Sequence, residues 1–590
     1  MTFTALREFA NYLEKNGELH RVKVEVDPIL EVSEIAKRAL KEGRPAIYFE
    51  KVKGAKYPLV INTLASERRI ELALGEHPDS LGEKLIRFFE QAVPPSVKSF
   101  TKHRSVVRRL LSSGTTDITI ALSQEVVEQP NLHDLPIIQC WPDDGGRFIT
   151  LPQVFTHDPL TGKRNVGMYR MHIFDGKTTG MHWQIQKGGG FHYFNADKMK
   201  KPLELAVALG TDPAMLLATV APLPEGIDEA MFAGFLRKKK TQLVGGRSVS
   251  ISVPANAEFI LEGIVPPVER RNEGPFGDHF GHYSAAAEFP VFHLTAITHR
   301  TDPIYPATIV GIPPMEDKFL GDATQKILGP LARLLHSEVK GLWAYYEAGF
   351  HNLLVVAIEE RYQKEAMKTA LGLMGTQQLS LTKCLVTVSA DVNPRDFWQV
   401  LRAIRENFDP HYDFIMLPKV PLDTLDFTSY TMNLGSKMIL DATKKKNRAS
   451  RVRISKKTEH FISQLPTHDR RIIETNLVED TLALVKVKHD GGIVLKKLLK
   501  SPLMDGIKLL AVVSDDVEIH RQESYIWGIF TRFDCERDVL FREQKLLGIS
   551  PIYKGTLGID ATWKQGYPEP LVMSDEIIKR VDDRWDEYWR

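Results

Sequence analysis

Three stretches of this 590-residue chain gather the residue types that do chemistry. The first runs Asn165-Val-Gly-Met168-Tyr169-Arg170-Met-His172. After Asp-Gly-Lys-Thr-Thr-Gly it resumes as Met181-His182-Trp183-Gln184-Ile-Gln-Lys187-Gly188-Gly-Gly190. It reads as a β-hairpin around a glycine-rich turn. Asn, Arg and His share its strands with Trp, Tyr and Met, and half-buried polar groups need partners that a bound anion would supply. Glycines 188–190 let backbone N–H groups approach a ligand closely. A wet sheet surface with a glycine-rich loop explains the same residues equally well. Strict alternation puts Asn165 and Arg170 on opposite faces, so a shared site needs a bulge or an Asn165 placed before the strand.

The second stretch is Arg270-Arg-Asn-Glu273-Gly-Pro-Phe-Gly-Asp278-His279-Phe-Gly-His282. Gly-Pro-Phe-Gly is turn chemistry and can fold Glu273 and Asp278 together. Two close carboxylates in a poorly solvated site do not both ionise easily, so one can act as an acid while a nearby Arg keeps the other charged. Acids paired with Arg270 and Arg271 in solvent are the plainer alternative. A metal on Asp278, His279 and His282 is a further option without a specific spacing. The third candidate, Glu229, reads by itself as an acid favoured by a helix N-terminus.

The elements that must hold these residues fall into segments. Residues 6–15 and 30–40 have helical spacing, and 19–26, 46–49 and 59–61 read as strands, giving an N-terminal α/β unit over 1–115. Short β-rich runs at 118–121, 148–151, 165–174, 181–186, 248–253, 259–265 and 291–297 suggest a barrel or sandwich over 116–310, with a helical interruption at 202–209. Strand, helix, strand, helix at 353–358, 363–373, 384–388 and 394–406 predict a parallel α/β domain over 325–443. This domain is echoed. Ser-Ala-Asp-Val at 389–392 matches Ser-Asp-Asp-Val at 514–517, and Asn-Phe-Asp at 407–409 matches Arg-Phe-Asp at 532–534, both offset by 125. Leu-Asp-Ala-Thr-Lys at 440–444 matches Ile-Asp-Ala-Thr-Trp-Lys at 559–564. A duplicated domain follows, with the second copy and a C-terminal tail over 481–590. A basic linker with a helix spans 444–480; its first 14 residues, 444–457, carry eight basic and no acidic side chains. With no aromatic residue to stack on bases, that run reads as a solvated linker rather than a nucleic-acid patch.

Lys plus Arg number 77 and Asp plus Glu 75, which excludes a polybasic nucleic-acid binder. Cys140, Cys384 and Cys535 lie far apart, which excludes a disulfide framework and thiolate zinc sites. No apolar run spans a bilayer and the first residues lack signal-peptide character, so a cytoplasmic protein is expected.

Taken in order, Asn165 to Arg170, Met181 to Gly190, Val253-Pro-Ala-Asn-Ala-Glu258, Glu273 to Asp278 and Gly435-Ser-Lys-Met-Ile-Leu-Asp-Ala-Thr443 resemble the UbiD family of prenylated-FMN decarboxylases over residues 1 to about 443. The longer chain is similar to the branch linked to menaquinone synthesis. The resemblance implies a split β-barrel that binds the flavin. It implies a manganese or magnesium ion on Asn165, His182 and Glu229, bridging to the cofactor phosphate, with potassium beside it near Thr219 and Ala221. Met168, Tyr169, Arg170, His182, Trp183, Gln184, Lys187 and Gly188 match cofactor-contact positions; Lys187 replaces an Arg of some relatives, which weakens bidentate phosphate gripping.

The matching catalytic network is Arg170, Glu273 and Asp278. Arg170 orients the substrate carboxylate, Glu273 holds Arg170, and Asp278, still protonated, delivers the proton after CO2 leaves. The implied partners are an aromatic or α,β-unsaturated acid, a UbiX-type flavin prenyltransferase that supplies the cofactor, and further copies in a dimer or hexamer. Weak membrane-surface association is expected if the substrate is prenylated, and no nucleic acid is expected. A redox flavoprotein that binds plain FMN is the competing class.

Overall fold

The computed structural model describes residues 2–91, 97–184, 187–224, 226–429, 431, 433–445 and 454–590. Most of the basic run at 444–457 lies outside these residues, as do Ile185 and Gln186. Two compact units emerge: Met1–Leu328 with Glu569–Arg590, and Gly329–Pro568.

In the first unit, helix Leu6–Lys15 buries Leu6, Phe9, Ala10 and Leu13, an i, i+3, i+4, i+7 stripe. Each large apolar side chain of such a stripe contributes about 1.5–3 kcal/mol. The helix stops at Asn16 and at Gly17, whose φ of 72° suits glycine. Strands Leu19–Val22, Ala46–Phe49, Leu59–Ile61 and Tyr305–Ala307 form a four-stranded sheet in that order.

The site is carried by a second, eight-stranded sheet. Its path runs Thr178–Gly180, Ala287–His299, Phe259–Val265, Leu203–Leu209, Gln153–His157, Arg164–Met168; Arg270–Glu273 and Val126–Glu128 also pair with the long strand Ala287–His299. The pairs are antiparallel. The sheet is open and branched and does not close on itself. At Gly263 a Cβ would lie 1.9 Å from the His293 carbonyl oxygen, so glycine is needed where the register shifts in a bulge.

Several local expectations are corrected here. The helix expected at 202–209 is strand Leu203–Leu209, in the middle of the sheet. Its Leu and Ala residues favour helix, but burial on both faces and the bounding Pro202 and Gly210 impose extended chain. Residues 118–121 are not a strand; Thr115–Asp117 is. The hairpin around the Asp175 turn is short, because Arg164–Met168 pairs with Gln153–His157 and residues 181–184 do not continue a strand. The glycines instead open helix Gly188–Lys198.

The second unit shows the duplication directly. One sheet has the order Val339–Ala344, Leu353–Ile358, Cys384–Ser389, Leu434–Ala442, Phe414–Pro421. The other repeats it with Ile472–Val478, Leu482–Val487, Leu509–Val513, Ser550–Ala561, Val539–Leu547. The second sheet therefore begins at Ile472, ahead of position 481, and the tail from Glu569 belongs to the first unit. One core joins the two copies: Val355, Val386 and Leu440 pack in it with Leu484, Ala511 and Leu557. The contact is reciprocal, as in an isologous dimer. Lys383 Nζ donates to the Phe533 carbonyl at 2.9 Å, and Lys508 Nζ donates to the Phe408 carbonyl at 2.9 Å.

Lys383 also pairs with Asp426 at 2.8 Å, with both side chains fully buried. Lys383→Met leaves the Asp426 charge without its partner and is expected to cost about 3–5 kcal/mol. Equilibrium denaturant unfolding checks this. Among the described residues no helix is long and apolar enough to cross a membrane.

Candidate active site

Arg170 lies between strands Arg164–Met168 and Met171–His172, and its guanidinium gathers the second stretch. Its Nε donates to Glu273 Oε1 at 3.2 Å, one Nη to Asp278 Oδ2, and the other to Ser284 Oγ at 2.9 Å. The group lies 4.7 Å from the centre of the Phe276 ring. Glu273 ends strand Arg270–Glu273 and is buried. Strands Phe276–Gly277 and Tyr283–Ser284 form a small hairpin with Asp278 at its start. The turn residues thus do bring both acids onto one arginine.

Burial alone would raise the Glu273 carboxyl; the His182 hydrogen bond and the Arg170 charge outweigh it and hold the group below its usual value, while burial and Arg170 lower the His182 pKa and favour its neutral form. Burial also opposes ionisation of Asp278. The His279 side-chain hydrogen bond and the Arg170 charge overcome it and hold the group well below the carboxylate range. His279 donates to Asp278 Oδ1 from its backbone N–H at 2.7 Å, and its Nδ1 lies 2.7 Å from the same oxygen. Against the expectation that Asp278 carries its proton, these donors favour its ionised form.

The metal candidates are only partly assembled. Glu229 opens helix Glu229–Arg237 and accepts from the Val166 N–H at 2.9 Å, which ties it to the strand that carries Asn165. Burial pushes its carboxyl up to about 7, against the Val166 N–H bond. His182 sits on Glu273 instead, with Nδ1 2.8 Å from Oε1. Among the described residues, His182 Nε2, Trp183 Nε1 and Glu273 Oε2 are buried polar atoms without a hydrogen-bond partner. A carboxylate on Nδ1 that leaves Nε2 open is the arrangement that orients imidazole toward a metal. Among the described residues no group of three His, Cys, Asp or Glu side chains could hold an ion, so Asp278, His279 and His282 do not make one.

Tyr169 is buried, and its hydroxyl accepts from the Gly189 N–H at 3.1 Å and from Asn165 Nδ2 at 3.5 Å. Met168, Gln184 and Lys187 are half-buried. Thr219 lies in the last turn of helix Pro213–Val220, where its hydroxyl donates to the Met215 carbonyl at 2.8 Å, and Ala221 follows the helix. A Cβ on Gly188 would lie 2.0 Å from Asn165 Oδ1, and one on Gly189 would lie 2.7 Å from Trp183 Nε1. Gly188→Ala must therefore displace Asn165, and a shift near 1 Å is expected to cost about 100-fold in turnover. Turnover of the purified variant reads the loss.

Two contributors carry no local signal. Asp144 is buried; its Oδ1 accepts from Gly277 N–H at 2.7 Å, and its Oδ2 accepts from Trp141 and Cys140 N–H at 2.8 and 3.0 Å, fixing the Asp278 turn. Burial raises its carboxyl to about 7 despite those bonds. Asp317, near His279 and Asp278, is likewise raised by burial to about 6.

Family models for 3-octaprenyl-4-hydroxybenzoate carboxy-lyase match the chain in three parts: the N-terminal domain at residues 10–89, the Rift-related domain at 117–313, and the C-terminal domain at 318–442 and again at 463–561. A Chlamydia pneumoniae protein, named as one of the subunits of a 4-hydroxybenzoate decarboxylase, is 34% identical over 589 residues, covering 99% of this chain and 98% of the relative. The chain belongs to the UbiD family of carboxy-lyases. Among solved UbiD-type structures, the vanillic acid decarboxylase of Sedimentibacter hydroxybenzoicus in its closed form is 27% identical, with a TM-score of 0.69 over 79% of this chain and 99% of that one. An evolved dimeric form of the UbiD-class enzyme HmfF from Pelotomaculum thermopropionicum, in complex with prFMN, is 27% identical with a TM-score of 0.63 over 76% and 96%.

Proposed function

We propose that this UbiD-family enzyme reversibly and non-oxidatively decarboxylates an aromatic or α,β-unsaturated carboxylic acid with prenylated FMN, in the cytoplasm and in quinone synthesis of the menaquinone type. The observation that carries the reading is one largely buried guanidinium shared by Glu273 and Asp278, beside three buried polar atoms that have no partner among the described residues. The relatives' names supply the substrate class and the cofactor.

The donor types, rather than their present arrangement, are what suit the cofactor's ion, since His182 rests on Glu273. Asn165 and Glu229 offer hard oxygen donors and His182 an open Nε2, a set that suits manganese or magnesium. Potassium would sit near Thr219 and Ala221. Met168, Tyr169, Trp183, Gln184, Lys187 and Gly188 would line the flavin. When bound, prenylated FMN supplies the electron sink for the pair left by departing CO2.

The chain's own residues do the rest. Arg170 binds and orients the substrate carboxylate. The arriving anion competes with Asp278 for the guanidinium and adds a second negative charge, so the Asp278 pKa rises and it takes up a proton. Asp278 then hands that proton from a carboxyl oxygen to the carbon that lost CO2, with His279 fixing the other oxygen. Glu273 keeps Arg170 charged and in place.

A UbiX-type flavin prenyltransferase would supply the cofactor, and the chain would assemble as a dimer or hexamer, with weak membrane-surface association if its substrate is prenylated. Producing the protein with and without such a prenyltransferase tests the reading. CO2 release from a panel of hydroxybenzoic and acrylic acids is expected only in the first case. Binding of plain FMN with no CO2 release in either case would contradict it.

A further inference from the structure

The catalytic hairpin is not a free-standing pair of strands. The chain's last segment returns to it after the duplicated domain and lies alongside its turn through an isolated bridge. Leu571 N–H donates to the Gly281 carbonyl at 2.9 Å, Tyr283 N–H reaches the Glu569 carbonyl at 3.4 Å, and His282 and Pro570 form an antiparallel bridge between them. Proline is tolerated there because neither bond uses its missing N–H.

The Leu571 side chain, only 3% exposed, and the Trp141 ring together crowd the face of Gly277 where a Cβ would stand. A Cβ on Gly277 would meet Trp141 Cδ1 at 2.2 Å and Leu571 Cδ2 at 2.8 Å. Trp141 is itself fixed, its Nε1 donating to the Val310 carbonyl at 2.9 Å and its N–H to Asp144. Gly277 immediately precedes Asp278, whose own N–H is spent inside the turn on the His282 carbonyl at 3.1 Å. Behind the strap, helix Asp575–Tyr588 anchors the tail. Tyr588 OH and Arg584 both donate to Glu31, at 2.6 and 2.5 Å, and Arg38 donates to the Ile578 carbonyl at 3.0 Å.

We infer that residues 569–571 are a strap and that Leu571 is a positioning residue for Asp278, packing with Trp141 over Gly277 so that the turn is held where the acid meets Arg170 and the substrate carbon. This rests on the reading of Asp278 as proton donor. Leu571 touches no reacting atom. It acts by removing the freedom of a glycine-rich loop (Gly274, Gly277 and Gly281 lie within it) that would otherwise let the carboxyl wander by more than proton transfer tolerates.

The test uses full-length holoenzyme. Leu571→Ala is expected to lower kcat about 10–100-fold with KM and flavin content unchanged, and to speed amide hydrogen exchange at Asp278, Gly281 and Tyr283 while the rest of the unit stays protected. Leu571→Met, which refills the space, restores both. Wild-type kcat and wild-type exchange in Leu571→Ala would overturn the strap. So would a rise in exchange spread over the whole unit, which marks general loosening. Failure of the decarboxylase reading looks different: the wild type itself then releases no CO2, while the exchange difference at the turn persists.

Discussion

Asp278→Asn is expected to lower turnover by about 100- to 10,000-fold, the range general acid catalysis contributes, while flavin content stays near wild type. The substitution keeps the side chain's shape. Asn still offers Oδ1 to the His279 N–H, and Arg170 keeps its bonds to Glu273 and Ser284. What disappears is the only group on this hairpin that bonds Arg170 and can take up a proton when a substrate carboxylate arrives. CO2 release at saturating substrate is the measurement. More than a tenth of wild-type kcat in the variant would remove the assignment.

Arg170→Met is expected to abolish turnover and also to cost about 3–5 kcal/mol of stability at pH 7, because it leaves two buried carboxylates without their guanidinium. Both acids are held below their ordinary values in the native site. Their stabilising contribution is therefore present at neutral pH and is lost as pH falls through their folded pKa values. Without Arg170 that contribution is gone, and burial favours the protonated forms. The stability gap between wild type and variant should thus be widest near pH 7 and narrow as the pH is taken below about 4, the ordinary carboxylate pKa. Urea titrations across that range check it; a gap independent of pH would show that Arg170 does not hold the two acids.

Glu273 and Asp278 were legible as a pair because turn chemistry is local: Gly-Pro-Phe-Gly has little choice but to fold back. Their meeting with Arg170 was legible only through the family resemblance, because it joins segments far apart in the chain, and such tertiary register leaves no mark in a short window. Asp144 and Leu571 reach the site only through tertiary packing, and neither sits in a suggestive motif. His279 was visible, but its hold on Asp278 follows from rotamer and burial rather than spacing. The strand Leu203–Leu209 reads as helix in the sequence because burial on both faces erases the two-residue alternation that marks a half-buried strand. The duplication was readable from echoes at fixed offset, whereas the second copy's first strand, Ile472–Val478, has no echo and mixed exposure, so its start was placed too late.

The most direct test of the central claim follows the proton. Holoenzyme incubated in D2O with a decarboxylated product should exchange the hydrogen on the carbon that would bear CO2, seen by NMR as loss of one ring or vinyl signal. Asp278→Asn should slow that exchange by at least about 100-fold with its flavin still bound. Equal exchange in wild type and variant, or none in the wild type under conditions of CO2 release, would contradict the role given to the Arg170–Glu273–Asp278 group.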